Sequence, residues 1–369
     1  MRRLVGGFVC VLLLGGAAVS TAQEPVPCRW ATESAGVKNM VLNGVAAPAP
    51  TNVFAVGTGY SRGQWRTLVR HWDGDSWKTQ PSPNVNDQVH ALNDVAVAAD
   101  GTAWAVGERG QSKVKTVVQR YDGTTWRMQR SPNPSKDRNV LYGVDVAPSG
   151  DVYAAGTRWN AKRQFRTMIQ HYDGDAWEML AGGYSGTLWA VDVVADDDIW
   201  AVGTKTVRGA RRTLAIHFDG TRWSEVATPS PGKGTSILYD VSAAAPDDVW
   251  AVGDWYDRGT PRAWVVHFDG TSWSRAEIPD LTTEVGLRGV SALDADTAVA
   301  VGEDFDAAGD NRAVIEWDGS SWTRAEQDDD GMSTWLHAVD LAPDGEGWAV
   351  GYHSGDPESE EYVERRTCG

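Results

Sequence analysis

The sequence predicts an all-β fold: a seven-bladed β-propeller of four-stranded antiparallel blades, its ring closed by N- and C-terminal strands that share the last blade. Three observations predict it. A phrase L-x-x-V, followed by (W/F/Y)-A-V-G or a close variant, recurs from Leu42, Leu92, Leu141, Leu188, Leu238, Leu287 and Leu336, at intervals of 47 to 50 residues. In every copy a glycine lies fifteen residues after the leucine, at Gly57, Gly107, Gly156, Gly203, Gly253, Gly302 and Gly351. A second phrase, aromatic-D-G-x-x-W, ends at Trp77, Trp126, Trp177, Trp223, Trp273 and Trp322, and no stretch sustains a helical period. Repetition of these phrases explains why 19 Trp and 40 Gly accompany only 6 Phe.

Each unit reads as four strands in order. L-x-x-V-x-(V/A), as in Leu141 to Val146, has the apolar spacing of an inner strand, and A-P-S-G or A-P-D-D supplies the turn after it. The strand ending in glycine comes second, and a variable polar stretch leads to a third with period-2 alternation, as in Ala263 to Phe268. Asp-Gly then predicts a tight type I′ hairpin, and the Trp three residues beyond it opens the fourth strand. Seven units near 49 residues nearly exhaust the chain, so residues 23–369 are expected to form one domain.

Residues 1–22 read as a secretory signal peptide: Arg2 and Arg3, an apolar run from Leu4 to Leu14 too short to span a bilayer, and small residues ending at Ala22. Cleavage there would give an exported, secreted protein without membrane insertion, expected to be monomeric. It would remove Cys10 and take the formal charge from −16 to −18. Such acidity disfavours nucleic acid as a partner. Only Cys28 and Cys368 would remain. Trp30 precedes Leu42 much as Trp223 precedes Leu238, so the last blade takes its fourth strand from the N-terminus. In that register Cys368 falls on the Gly of Asp-Gly and Cys28 on the next position, which predicts a disulfide across the missing turn.

The segment His217-Phe218-Asp219-Gly220-Thr221-Arg222-Trp223, with Pro229 downstream, resembles the second half of a kelch repeat. The kelch glycine pair is replaced by Val-Gly, or by Ala155-Gly156 in the third unit, and the aromatic-to-Trp spacing is shorter by about one residue. The resemblance implies a propeller and commonly a binding role, without fixing an activity.

His71, His171, His217 and His267 occupy one equivalent position, and Arg120 and Glu316 occupy it in other units. Equivalent positions in different blades do not converge, so a hydrogen bond within each blade is expected rather than a metal site; no cofactor is expected either. The Asp-Gly turns and the first-to-second-strand turns, such as Asp196 to Asp198 and Asp247-Asp248, share one face, which should be acidic. No segment reproduces a calcium-loop motif.

The second-to-third-strand loops emerge on the opposite face and combine aromatics with cations: Tyr60, Arg62 and Trp65; Trp159, Lys162, Arg163 and Phe165; Lys205, Arg208, Arg211 and Arg212; Trp255, Tyr256, Arg258 and Arg262. Of these, Tyr60, Trp65, Trp159, Arg163, Phe165, Arg208, Trp255, Tyr256 and Arg262 are the candidate binding residues, because Trp and Tyr beside Arg can stack on sugar rings or anchor a protein. Asp304, Asp306, Asp310, Asp356, Glu358, Glu360 and Glu361 would give blades six and seven an acidic arc on the same rim.

No G-x-S-x-G, H-E-x-x-H or P-loop occurs. The reading favoured is therefore a non-catalytic recognition module for a carbohydrate or cell-envelope polymer, or for an extracellular protein. The alternative is a polysaccharide-active hydrolase or lyase at the central channel. It requires Asp145, Asp192, Asp240 and Asp340, on the inner strands, to converge with other polar groups in one pocket.

Overall fold

The computed structural model describes residues 28–368 apart from 86–88, 280, 282–283, 306–310, 328–332 and 355–358; the expected signal peptide lies outside the described residues. Twenty-eight strands form seven sheets, each of four antiparallel strands, and no helix occurs among the described residues. Blades 1 to 6 are continuous in sequence. Blade 7 is ordered Arg29–Lys38, Ser359–Thr367, Gly347–Ser354, Thr334–Leu341, so the N-terminal strand is its outer edge and the ring closes as the sequence predicts. Cys28 and Cys368 are disulfide-bonded at the corner where every other blade has its Asp-Gly loop.

Apolar side chains pack between blades rather than in a common centre. The fourth-strand Trp stands edge-on to the second-strand aromatic of the preceding blade: Trp126 against Phe54, Trp177 against Trp104, Trp273 against Trp200 and Trp322 against Trp250, with ring centroids 5.1 to 5.9 Å apart. At the closure Trp30 meets Val299 in place of an aromatic and donates its indole N–H to Glu316, which also holds Arg366.

The equivalent histidines are structural, as expected. His71, His171, His217 and His267 each bond the side chain that opens the second strand of the same blade, Asn52, Asp151, Asp198 and Asp248, at 2.6 to 2.8 Å.

The turn chemistry is the reverse of the sequence expectation. Asp-Gly does not form a two-residue type I′ hairpin. It opens a four-residue loop in which only the Gly has positive φ and the Asp carboxylate accepts two backbone N–H groups, as Asp219 does from Thr221 and Arg222. The lone carboxylate satisfies donors that a longer loop would otherwise expose. Type I′ geometry lies instead at the second-to-third-strand connection of blades 1, 4 and 5. There the turn is Arg62-Gly63, Arg208-Gly209 or Arg258-Gly259, with positive φ at both residues.

The glycine of each repeat has a steric cause. In all seven blades the inner strand carries a bulge immediately after its leucine, between Leu42 and Gly44 in blade 1 and at the matching place elsewhere. The strand opposite is drawn close there: a Cβ on Gly253 would lie 2.0 Å from the carbonyl oxygen of Ile237. Glycine permits the bulge, and the bulge turns the residue after the leucine towards the propeller axis.

Candidate functional site

The seven bulge residues, Asn43, Asn93, Tyr142, Trp189, Tyr239, Arg288 and His337, form a ring around one mouth of the central channel and line a cavity of about 310 Å³. Inner strands start at this mouth, so it lies on the face that carries the second-to-third-strand turns.

The ring divides into two arcs. Blades 3, 4 and 5 supply Tyr142, Trp189 and Tyr239 in contact, with centroids 4.4 and 5.8 Å apart, and Arg288 of blade 6 stacks its guanidinium 4.2 Å from the Tyr239 ring. Arg288 is itself held by Asp254 and Glu303, both at 3.1 Å, so its charge is neutralised within the protein. Burial pushes Tyr239 up to about 12 and also raises both of these carboxylates.

Blades 7, 1 and 2 supply the polar arc. His337 Nδ1 donates to Leu42 O at 3.0 Å, Asn43 Nδ2 to Leu92 O at 2.8 Å and Asn93 Nδ2 to Leu141 O at 2.7 Å, each bridging to the next blade. Burial holds His337 at about 4, so it is neutral and Nε2 is an acceptor. Each Asn commits one of its two amide N–H groups and His337 its single ring N–H, so the arc presents two amide oxygens and a ring nitrogen as acceptors alongside the second N–H of each amide.

Below the mouth, Asp94, Asp145, Asp192, Asp240 and Asp340 line a channel cavity of about 220 Å³. The acids named by the sequence thus converge, joined by Asp94. Four of them tie neighbouring blades together. The inner edge of each blade turns unpaired N–H groups to the channel, and these carboxylates accept them. Asp240 takes Val241 N–H of its own strand and Val290 N–H of the next blade, both at 2.9 Å. Asp94, Asp145 and Asp340 repeat this, the last to Leu341 and Ala47. Confinement raises Asp145 to about 6 and Asp240 to about 7, and pushes Asp94 and Asp192 well above the usual carboxylate range.

None of the nine residues singled out from sequence lines the mouth. They sit at the tips of separate blades. Tyr60 and Trp65 flank the Arg62-Gly63 turn as an exposed edge-to-face pair at 5.3 Å. Trp159 and Phe165 form a similar pair at 6.0 Å, with Arg163 over Trp159 and 3.8 Å from Asp137. Arg208 occupies its turn at φ 50°. Trp255 and Tyr256 are half-buried, and Arg262 lies 3.9 Å from Asp257.

Of the seven acids expected to form an arc on blades 6 and 7, three are described, and each is paired. Asp304 is buried beside Arg324, Glu361 is buried against Arg70 at 2.9 Å, and Glu360 pairs with His353 at 3.0 Å. Asp306, Asp310, Asp356 and Glu358 lie outside the described residues.

The ring was missed because L-x-x-V treats the residue after the leucine as a spacer. Read down the seven copies, that spacer is Asn, Asn, Tyr, Trp, Tyr, Arg, His, richer in binding chemistry than an inner-strand position needs.

No protein-family model matches the chain, and no curated protein matches it in sequence. Solved structures do share its fold. The chain is similar to YCF48 bound to D1 peptide, with TM-score 0.56 and 13% identity over 90% of this chain and 96% of that one. It is also similar to a polysaccharide lyase, an ulvan lyase bound to a GlcA-Rha3S repeat, with TM-score 0.54 and 11% identity over 90% and 95%. A third is the GH74 xyloglucanase from Xanthomonas campestris, with TM-score 0.58 and 14% identity over 88% of this chain and 53% of that one. At these identities the likeness shows a shared propeller fold.

Proposed function

We propose that the protein is a non-catalytic recognition propeller that binds a neutral carbohydrate at the channel mouth. One observation carries this reading: an aromatic arc, Tyr142, Trp189 and Tyr239, faces an arc of acceptors on Asn43, Asn93 and His337. A sugar ring offers the matching chemistry, apolar C–H faces for the aromatics and hydroxyl donors for the acceptors. The fold neighbours include both peptide-bound and polysaccharide-active propellers, and the acceptor-rich well favours the saccharide.

The catalytic alternative has less support. The channel carboxylates are engaged by backbone N–H groups, and Tyr239, the tyrosine beside Arg288, is pushed to about 12, far from the range of a useful base at neutral pH.

We assign the exposed rim aromatics Tyr60, Trp65 and Phe165, together with the half-buried Trp159 and with Arg163, Arg208, Trp255, Tyr256 and Arg262, a secondary role as outer contacts for a longer ligand. Export follows from cleavage after Ala22 and fits a disulfide-bonded chain. The repeat phrase is read as kelch-like on its aromatic-Asp-Gly-x-x-Trp half.

The test is an array of neutral and acidic oligosaccharides and of peptides, probed with the wild type and with Trp189→Ala. Neutral glycans should bind, and the signal should disappear in the variant. Binding confined to peptides, turnover of a bound polymer, or glycan binding that survives Trp189→Ala would overturn the assignment.

A further inference from the structure

On the opposite face, the third-strand position two residues before the Asp of Asp-Gly, or its equivalent in blade 7, is engaged by a hydrogen bond or ion pair in six blades and in one is not. In blades 1, 3, 4 and 5 a His bonds the Asn or Asp that opens the second strand. In blade 7 Arg365 pairs with Glu346 at 2.7 Å, and in blade 6 Glu316 receives Trp30 and Arg366. Blade 2 has Arg120, and the residue opening its second strand is Thr102 rather than an acid.

The Arg120 guanidinium lies over the Trp104 ring at 5.3 Å, and among the described residues no acceptor or carboxylate bonds it; its Nε is buried without a partner. Asp100 is close enough to feel its field, yet makes no ion pair with it, and the Asp100 carboxylate accepts the Thr102 N–H at 2.8 Å. Arg120 lines a groove of about 570 Å³ between blades 2 and 3, with Tyr172 and Ser149 on the other wall.

We propose that this groove is a second binding site, distinct from the channel mouth, and that Arg120 receives a carboxylate carried by a small acidic ligand such as an acidic sugar. The planar guanidinium matches the two-oxygen edge of a carboxylate, and stacking on Trp104 fixes its plane. A monoanion is favoured over a dianion because the surrounding face carries Asp100, Asp196 and the Asp-Gly loops. In blades 1, 3, 4, 5 and 7 an acid or amide opening the second strand pairs with this position. In blade 6 that residue is Thr297, and the position is itself an acid, Glu316, bound by Trp30 and Arg366. Among the described residues blade 2 alone leaves its cation for a ligand to complete.

The test is a titration of glucuronate, with glucose as the uncharged control, followed by ligand-observed NMR. It compares the wild type, Arg120→Met, Thr102→Asp and Trp189→Ala, with thermal melts to confirm folding. The wild type should bind glucuronate saturably and glucose at least tenfold more weakly. Arg120→Met should lose at least tenfold. Thr102→Asp keeps the arginine but supplies the internal acid that blades 3, 4, 5 and 7 have, and should lose as much while melting no lower than wild type. Trp189→Ala should bind normally. No saturable binding to the wild type, binding unchanged in Thr102→Asp, or loss only in Trp189→Ala would each overturn the proposal.

Discussion

Asp240 shows how a single side chain serves the ring. It joins blade 5 to blade 6 through two backbone N–H groups, in a channel that raises it to about 7. A carboxyl group with a folded pKa above its unfolded value of about 3.9 makes the native state bind the extra proton between those values, so its contribution to stability fades as pH rises. Asp145, at about 6, acts in the same direction, and His337, neutral down to about 4, opposes both only below pH ~6.5. Melting temperature should therefore rise as pH is lowered from 8 to 6.5. Asp240→Asn should flatten that slope while lowering stability throughout, because its amide places a donor against N–H groups. Differential scanning calorimetry across that range checks both, and a slope unchanged in the variant would assign the titration to other groups.

At the scale of the element, the bulge and its glycine form a unit. Gly253→Ala puts a Cβ 2.0 Å from the backbone oxygen of Ile237, where neither strand can yield without breaking the ladder. It should cost at least the upper end of the roughly 1–3 kcal/mol typical of overpacking. Gly259→Ala meets no atom within 4 Å and is strained only by its φ of 100°, so it should cost about 1 kcal/mol. Denaturant melts of the two variants separate a close approach from a conformational requirement. The strands themselves were legible because leucine, glycine and Trp recur at fixed offsets. The bulge was not, since it inserts one residue into an inner strand without disturbing those offsets, and Asn43 through His337 looked like spacers. The hairpin types were misread for a related reason: Asp-Gly suits a type I′ turn in isolation, yet the Asp side chain caps the loop instead, and Arg-Gly takes the tight turn.

At the scale of the molecule, closure joins the two ends of one blade. The Cys28–Cys368 bridge spans 340 residues, and loop-closure entropy assigns such a link up to roughly 5 kcal/mol. Cys28→Ser/Cys368→Ser should lower the melting temperature by roughly 5–10 °C. The fold should survive, because the outer strand is still paired and Trp30 and Arg366 still meet at Glu316. An unchanged melting temperature would mean that these contacts alone close the ring. The register that placed the cysteines was readable from sequence because both fall on the repeat. The inward pairing of Asp304 and Glu361 was not, because their partners Arg324 and Arg70 lie on other strands and, for Arg70, in another blade.

The most direct test of the molecule as a whole is calorimetric titration of a neutral oligosaccharide that binds the wild type, repeated with Trp189→Ala and with Tyr60→Ala/Trp65→Ala. If the channel mouth is the principal site, Trp189→Ala loses about 2 kcal/mol, roughly thirty-fold in affinity, while the rim variant stays within about threefold of wild type. Full affinity in Trp189→Ala together with loss in the rim variant would contradict the assignment and move recognition to the blade tips.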